Sequence, residues 1–149
     1  TKDGDMRPQT EVAGDERGAN RKETNFDTWR ALQRVVDKKR ADIIADIVGH
    51  PKGAPTVEEL DYMNTPLSED SIRRHLKTLA EVGVVRVREL GAGDRVRDFP
   101  YQFFEITPEA RELFDQNGLF PEEAWKRQYA AVEKTSRIEE VESMPRPDS

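Results

Sequence analysis

The stretch from Leu67 to Val85 constrains the fold more than any other part of this chain. Its apolar residues Ile72, Leu76, Leu79 and Val82 recur at helical spacing, so one face packs inward, while Arg73, Arg74 and Lys77 fall on the other side. Ser68 is a good N-cap, because its hydroxyl can accept a hydrogen bond from an otherwise unpaired first-turn amide. Glu69 and Asp70 suit the positive end of the helix dipole, and Gly83 can take the left-handed backbone that ends a helix. The predicted helix runs from about Glu69 to Val82. Upstream, Thr56-Val57-Glu58-Glu59 is a T-x-x-E capping box opening a shorter helix to about Met63, and Asn64-Thr65-Pro66 is a turn between the two. Short helix, tight turn and longer basic-faced helix make a helix-turn-helix, in which the second helix enters the DNA major groove.

After Val84 the hydrophobic period changes from 3.6 to 2. Val85 and Val87 alternate with Arg86 and Arg88, Gly91-Ala92-Gly93-Asp94 makes a turn, and Tyr101 to Ile106 returns as a second strand. This hairpin is read as a wing. Phe104 and Ile106 are expected to face the core, with Arg86, Arg88, Arg95 and Arg97 on the exposed side or near the tip, where they can reach phosphates or the minor groove. Because Glu89, Asp94 and Asp98 are interleaved, a charge-balanced hairpin is the alternative.

Ahead of this unit, Trp29, Leu32, Val35 and Val36 line one helical face from Asp27, and Ile43, Ile44, Ile47 and Val48 line a second, ended by Gly49-His50-Pro51. Pattern alone leaves open whether Asp37 separates two helices or lies within one. Lys38, Lys39 and Arg40 form a basic triplet that reads as a solvated face or a backbone contact. Residues 1–25 have too few apolar side chains to order themselves and are read as a disordered tail. Beyond the wing, Thr107-Pro108 opens a short helix ending at Asn117-Gly118. Pro121 then starts what reads as one long helix to about Glu142, whose stripe of Trp125, Tyr129 and Val132 has little core left to cover and is assigned to dimerisation. Its heptad register slips after Val132, where Ser136 and Glu139 occupy apolar positions. The expected architecture is thus mainly α with a small β-wing: a winged helix-turn-helix over 26–118, a long dimerisation helix over 119–142 and a disordered tail over 143–149.

The motif Leu-Ser-x-x-Ser-Ile-x-Arg-His-Leu-x-x-Leu-x-x-x-Gly-Val-Val, beginning at Leu67, resembles the recognition helix of ArsR-type and PadR-type winged-helix repressors. The wider chain resembles related regulators of salt-loving archaea, over about Asp37 to Thr107 and more loosely over the C-terminal helix. The resemblance implies a homodimeric transcription regulator on a two-fold symmetric operator. On the family's motif, Asp70, Ser71, Arg73 and Arg74 occupy the positions that face base edges and phosphates, with Lys77 one turn further on meeting the backbone. An arginine can pair bidentately with guanine and a carboxylate can accept from cytosine.

Composition bears on this reading in two directions. The 149 residues carry a formal net charge of −6, whereas a DNA-binding protein ordinarily shows a basic footprint. As part of the resemblance to regulators of salt-loving archaea, the excess acid fits a salty cytoplasm, as does Arg outnumbering Lys two to one; the acidity also suggests cations held between protein carboxylates and phosphates. It equally suits a winged helix used as a protein-protein module, the second reading. With no cysteine, disulfides and thiolate sites are excluded. ArsR-type metal sensing needs thiolates or His/carboxylate clusters, and His50 and His75, the two histidines, fall on different elements, so no metal and no cofactor are expected. His75, beside Leu76, reads as a hydrogen-bonded packing residue. No nucleophile-base pairing, phosphate loop or H-E-x-x-H pattern occurs, which argues against an enzyme. No apolar run approaches the ~20 residues that span a bilayer, and a cytoplasmic location is expected.

Overall fold

The computed structural model describes residues 37–147. The tail expected over 1–25 and the helical face of Trp29, Leu32, Val35 and Val36 lie outside the described residues. Helix α1 (Lys38–Gly49) begins where Asp37, in extended backbone, accepts a hydrogen bond from the Arg40 amide at 2.9 Å, so Asp37 is an N-cap. Helix α2 (Val57–Met63) opens on the expected reciprocal box: Glu59 N–H donates to Thr56 Oγ1 at 3.1 Å, and Thr56 N–H donates to Glu59 Oε1 at 2.9 Å. Helix α3 (Glu69–Glu81) is capped by Ser68, which accepts from the Ser71 amide, and the chain leaves it through Gly83 at φ 82°.

Ile72, Leu76 and Leu79 of α3 are fully buried against Ile43, Ile44 and Ile47 of α1 and Leu60 of α2. Each such side chain contributes roughly 1.5–3 kcal/mol relative to leaving it in water. This burial fixes which face of α3 looks outward. Strands β1 (Val85–Glu89) and β2 (Gln102–Ile106) pair antiparallel with Val85 opposite Ile106 and Val87 opposite Phe104. The molecule is therefore mainly helical with a two-stranded sheet, the winged helix-turn-helix arrangement.

Phe104 and Ile106 face the main core as expected, Ile106 buried and Phe104 half-buried, and the wing is buried on its other face as well, where Phe103 is fully buried with Ala54, Leu90, Val141 and Met144; Val87 is 50% exposed. Two expectations are corrected. After α4 (Pro108–Gln116), the expected long helix is two helices, α5 (Glu122–Ala131) and α6 (Ser136–Ser143), separated by extended backbone at Val132 and a new N-cap at Thr135. The reason is geometric. Helix α5 lies along α1 and α6 along α2, and one straight helix cannot follow both. Finally, residues 143–147 of the expected tail are ordered, with Arg146 reaching into the core.

Candidate nucleic-acid interface

On α3, Glu69, Asp70, Arg73, Arg74 and Lys77 all stand in solvent, and Ser71 is half-buried at the edge of the packed stripe. Arg74 folds back to donate to Ser71 Oγ at 3.0 Å, so the two are joined. Arg73 and Lys77 have no hydrogen-bond or ion-pair partner among the described residues. His75 accepts from Arg40 Nε through Nδ1 at 3.1 Å, the packing role expected of it, and burial together with the Arg40 charge holds its pKa below the usual imidazole value. That contact ties the N-terminal turn of α1, with exposed Lys38 and Lys39, to the recognition helix.

The wing arginines divide. Arg86 donates to Glu105 Oε2 at 2.8 Å directly across the hairpin, and Arg88 lies 3.7 Å from the same carboxylate. Arg95 donates to the Leu90 carbonyl, sits 3.4 Å from Glu89 and stacks over the Tyr101 ring at 3.8 Å. Arg97 has no partner among the described residues. Of the wing cations, Arg97 is thus the one whose charge is left wholly to the solvent. Between the start of α3, the wing tip and α6 a cavity of about 380 Å³ opens, with Arg73 and Glu69 on one wall and Glu58 and Arg137 on another.

Behind α2 lies a group of charges that sequence reasoning missed. His50 and Glu59 are fully buried, and His50 Nε2 meets Glu59 Oε2 at 2.6 Å. The Lys52 backbone N–H donates to His50 Nδ1 at 3.0 Å. Because Nδ1 accepts, the ring proton is assigned to Nε2, which donates it to Glu59, and the imidazole is neutral. Arg146 supplies the balancing cation: Nη2 donates to Glu59 Oε1 at 2.9 Å, Nε to the Ala54 carbonyl at 2.9 Å and Nη1 to the Met144 carbonyl at 2.8 Å. Burial pushes the Glu59 carboxyl up, but the hydrogen bond from His50 and the Arg146 charge outweigh it and hold the group below its usual range. His50, Glu59 and Glu142 offer ligand atoms within 4.8 Å of one another and could in composition hold a cation. Their geometry suits Arg146 better, since the His50 ring has no spare lone pair and the guanidinium lies 3.2 Å from Nε2. The only local sequence signal for this cluster was the capping-box glutamate, which also explains why its second role was invisible.

Of the three residues assigned to dimerisation, Tyr129 is 3% exposed and packs edge-on to His50 at 5.4 Å, and Trp125 packs on the main core. The stripe does have a core to cover, namely α1, where a Cβ on Gly49 would lie 2.5 Å from the Trp125 carbonyl oxygen. Val132, at the break, is 41% exposed.

Among solved structures, the chain is similar to a protein with a GntR superfamily winged-helix-turn-helix domain from Halomicrobium mukohataei, at 26% identity and a TM-score of 0.69, covering 92% of this chain and 94% of that one. A more distant likeness is to NadR in complex with 4-hydroxyphenylacetate, at 21% identity and a TM-score of 0.42, covering 91% of this chain and 86% of that one. No protein-family model matches the chain, and no curated protein matches it. The first likeness agrees with the winged helix-turn-helix fold of the described residues and lends no support to the ArsR or PadR families in particular. No helix among the described residues is long and apolar enough to cross a membrane.

Proposed function

We propose that this chain is a sequence-specific double-stranded-DNA-binding transcription regulator that acts as a homodimer. One observation carries the reading: on a helix whose inner face is locked by Ile72, Leu76 and Leu79, the outward Arg73 and Lys77 have no partner among the described residues, whereas Arg74 is bonded to Ser71 and Arg86 to Glu105. An unpaired guanidinium held on a rigid helix is what bidentate pairing to a guanine edge needs. Arg73 is assigned to base reading, Arg74 and Ser71 to base edges or phosphates, Lys77 to the backbone, and Arg97 at the wing tip to phosphate or minor groove. The likeness to a protein with a GntR superfamily winged-helix-turn-helix domain supports the fold on which the assignment rests.

Homodimerisation is part of the proposal because a two-fold symmetric operator is read by two recognition helices on half-sites about 34 Å apart. Trp125 and Tyr129 are spent on α1, so the partner surface is assigned to Val132 and its surroundings. Glu69, Asp70, Asp94 and Asp98 flank the free cations, and cations held between these carboxylates and the phosphates would give binding a shallow salt slope in place of the usual steep loss. The test is selection of bound duplexes from a random-sequence pool, followed by titration of the selected and a random duplex. Arg73→Ala is expected to cost ~1–3 kcal/mol on the selected duplex and relax preference at one base pair, and Lys77→Ala to weaken both duplexes alike.

A second reading is favoured by the internal neutralisation of Arg86 by Glu105 and Arg95 by Glu89: a winged helix serving as a protein-protein module. It gains the ground if the pool yields no preferred sequence and Arg73→Ala with Lys77→Ala leaves DNA affinity unchanged.

A further inference from the structure

The wing tip is not held by strand pairing: Phe99 packs on the second core, which Leu90 and Phe103 share with α6, and the rest of its support comes from α6 itself. Asp98 sits in left-handed backbone at φ 67°, and the segment from Val96 to Pro100 contributes no strand of its own. Arg137, in the first turn of α6, donates to the Asp98 carbonyl at 2.7 Å and lies over the Phe99 ring at 4.2 Å. The same guanidinium makes a two-pronged pair with Glu58 on α2, Nε to Oε2 at 2.8 Å and Nη2 to Oε1 at 3.1 Å. Three elements distant in sequence therefore meet on one side chain. Glu58 belongs to the helix that packs on α3, so the pair refers the wing tip to the frame of the recognition helix. The planar, forked guanidinium is suited to this, because it satisfies a carboxylate and a carbonyl in fixed directions while its face covers an aromatic ring.

We infer that Arg137 is a positioning residue of the DNA-binding surface: it fixes the wing tip, with Arg97 beside it, relative to α3, without itself touching DNA. The inference rests on the DNA-binding reading for its functional half and on the contacts above for its structural half, and the two halves separate experimentally. Arg137 and Arg73 line the same cavity from different helices, so loss of Arg137 removes the strut between the two reading elements and leaves the free cations in place.

The experiment is amide hydrogen exchange on the full chain, together with DNA titration, for Arg137→Ala, Arg137→Lys and Glu58→Gln. Exchange should quicken over 95–101, where the Phe99 amide is bonded to the Val96 carbonyl, and stay unchanged at Leu76 and Leu79 in α3. Specific binding should fall about tenfold for Arg137→Ala with the salt slope kept, since no phosphate contact is lost. Arg137→Lys should behave like Arg137→Ala, because an ammonium keeps the charge and loses the fork. Glu58→Gln, which leaves Arg137 charged, should move exchange and affinity in the same direction, and this guards against a general folding defect in the arginine variants. Unchanged exchange over 95–101 in all three overturns the clamp, whatever the DNA result. Quickened exchange with undiminished specific affinity overturns the positioning role, and so does a salt slope that drops by about one with full rescue by lysine, which marks a direct phosphate contact. A wild-type chain without sequence preference defeats the regulator reading instead, and leaves the clamp to the exchange data.

Discussion

The two sides of the helix-turn-helix treat charge in opposite ways. Behind α2, Glu59 and Arg146 are bonded to each other with almost no solvent; Glu59 also accepts from His50 and the Thr56 amide, and Arg146 donates to main-chain carbonyls. In front of α3, Arg73 and Lys77 stand in water without partners among the described residues. A charge satisfied from within its own fold is part of the architecture, and its removal should be felt as instability. A charge that the fold leaves unpaired in solvent costs little to remove from the folded state and is available to a partner outside the chain.

The sharpest way to break this contrast is Arg146→Ala. It leaves the Glu59 carboxylate buried without its cation, and loss of one partner of a buried pair typically costs ~3–5 kcal/mol. The expected result is a large fall in thermal midpoint by calorimetry. A midpoint within a degree or so of wild type would mean that the rear cluster is as dispensable as the front. Replacing both partners, as Glu59→Gln with Arg146→Met, should recover part of the loss, because no lone charge remains.

A smaller effect is expected at Gly49. Alanine there would gain helix propensity but drive its Cβ into the Trp125 backbone, and overpacking of this kind costs ~1–3 kcal/mol. Urea unfolding should show a lower midpoint at unchanged slope. A stabilised Gly49→Ala would show that α5 is not seated on α1 as described.

Asp46 sharpens the comparison from the pH side. Burial, opposed by the hydrogen bond from Asn64 and helped by nearby Asp42, raises its pKa from 3.8 to about 6. The native state thus holds this proton more tightly than the unfolded chain does. The group's contribution is fully favourable below pH ~4 and is lost as pH rises through about 6. Asp46→Asn should therefore stabilise on the order of 1–3 kcal/mol above pH 7 and do nothing near pH 4. A gain of the same size at both values would remove the titration as its cause.

The smallest effect on stability is expected for Arg73→Ala and Lys77→Ala, each within about 0.5 kcal/mol of wild type by denaturant unfolding, as for surface sites with no partner. A larger loss in either would place it with the rear cluster.

What could be read from sequence was what the chain encodes within four residues. The caps at Ser68, Thr56 and Thr107 and the left-handed Gly83 all stand where expected. The break at Val132 was partly visible, since the register slip at Ser136 and Glu139 marks a change of direction; it read as an imperfect coiled coil because only the packing of α5 and α6 on different helices reveals two short elements. In Gln102-Phe103-Phe104-Glu105-Ile106 both faces carry an aromatic residue, and a period of two cannot tell which is the deeper when a second small core lies behind the strand. Arg146 could not have been found, because a polar, Pro-flanked segment carries no periodicity that points 87 residues back to Glu59.

Phe103 and Phe104 are neighbours anchored in separate cores, one behind the wing and one beneath it. Tilting the base of the hairpin toward α3 would draw Phe103 out of its seat, and tilting it away would strip Phe104. The hairpin root is thus a fixed post rather than a hinge. On the DNA-binding reading proposed above, a duplex laid against α3 would meet a rigid caliper, so a mismatch between groove width and wing spacing would be absorbed by bending of the DNA, and sequences that bend easily would be favoured at positions no side chain touches.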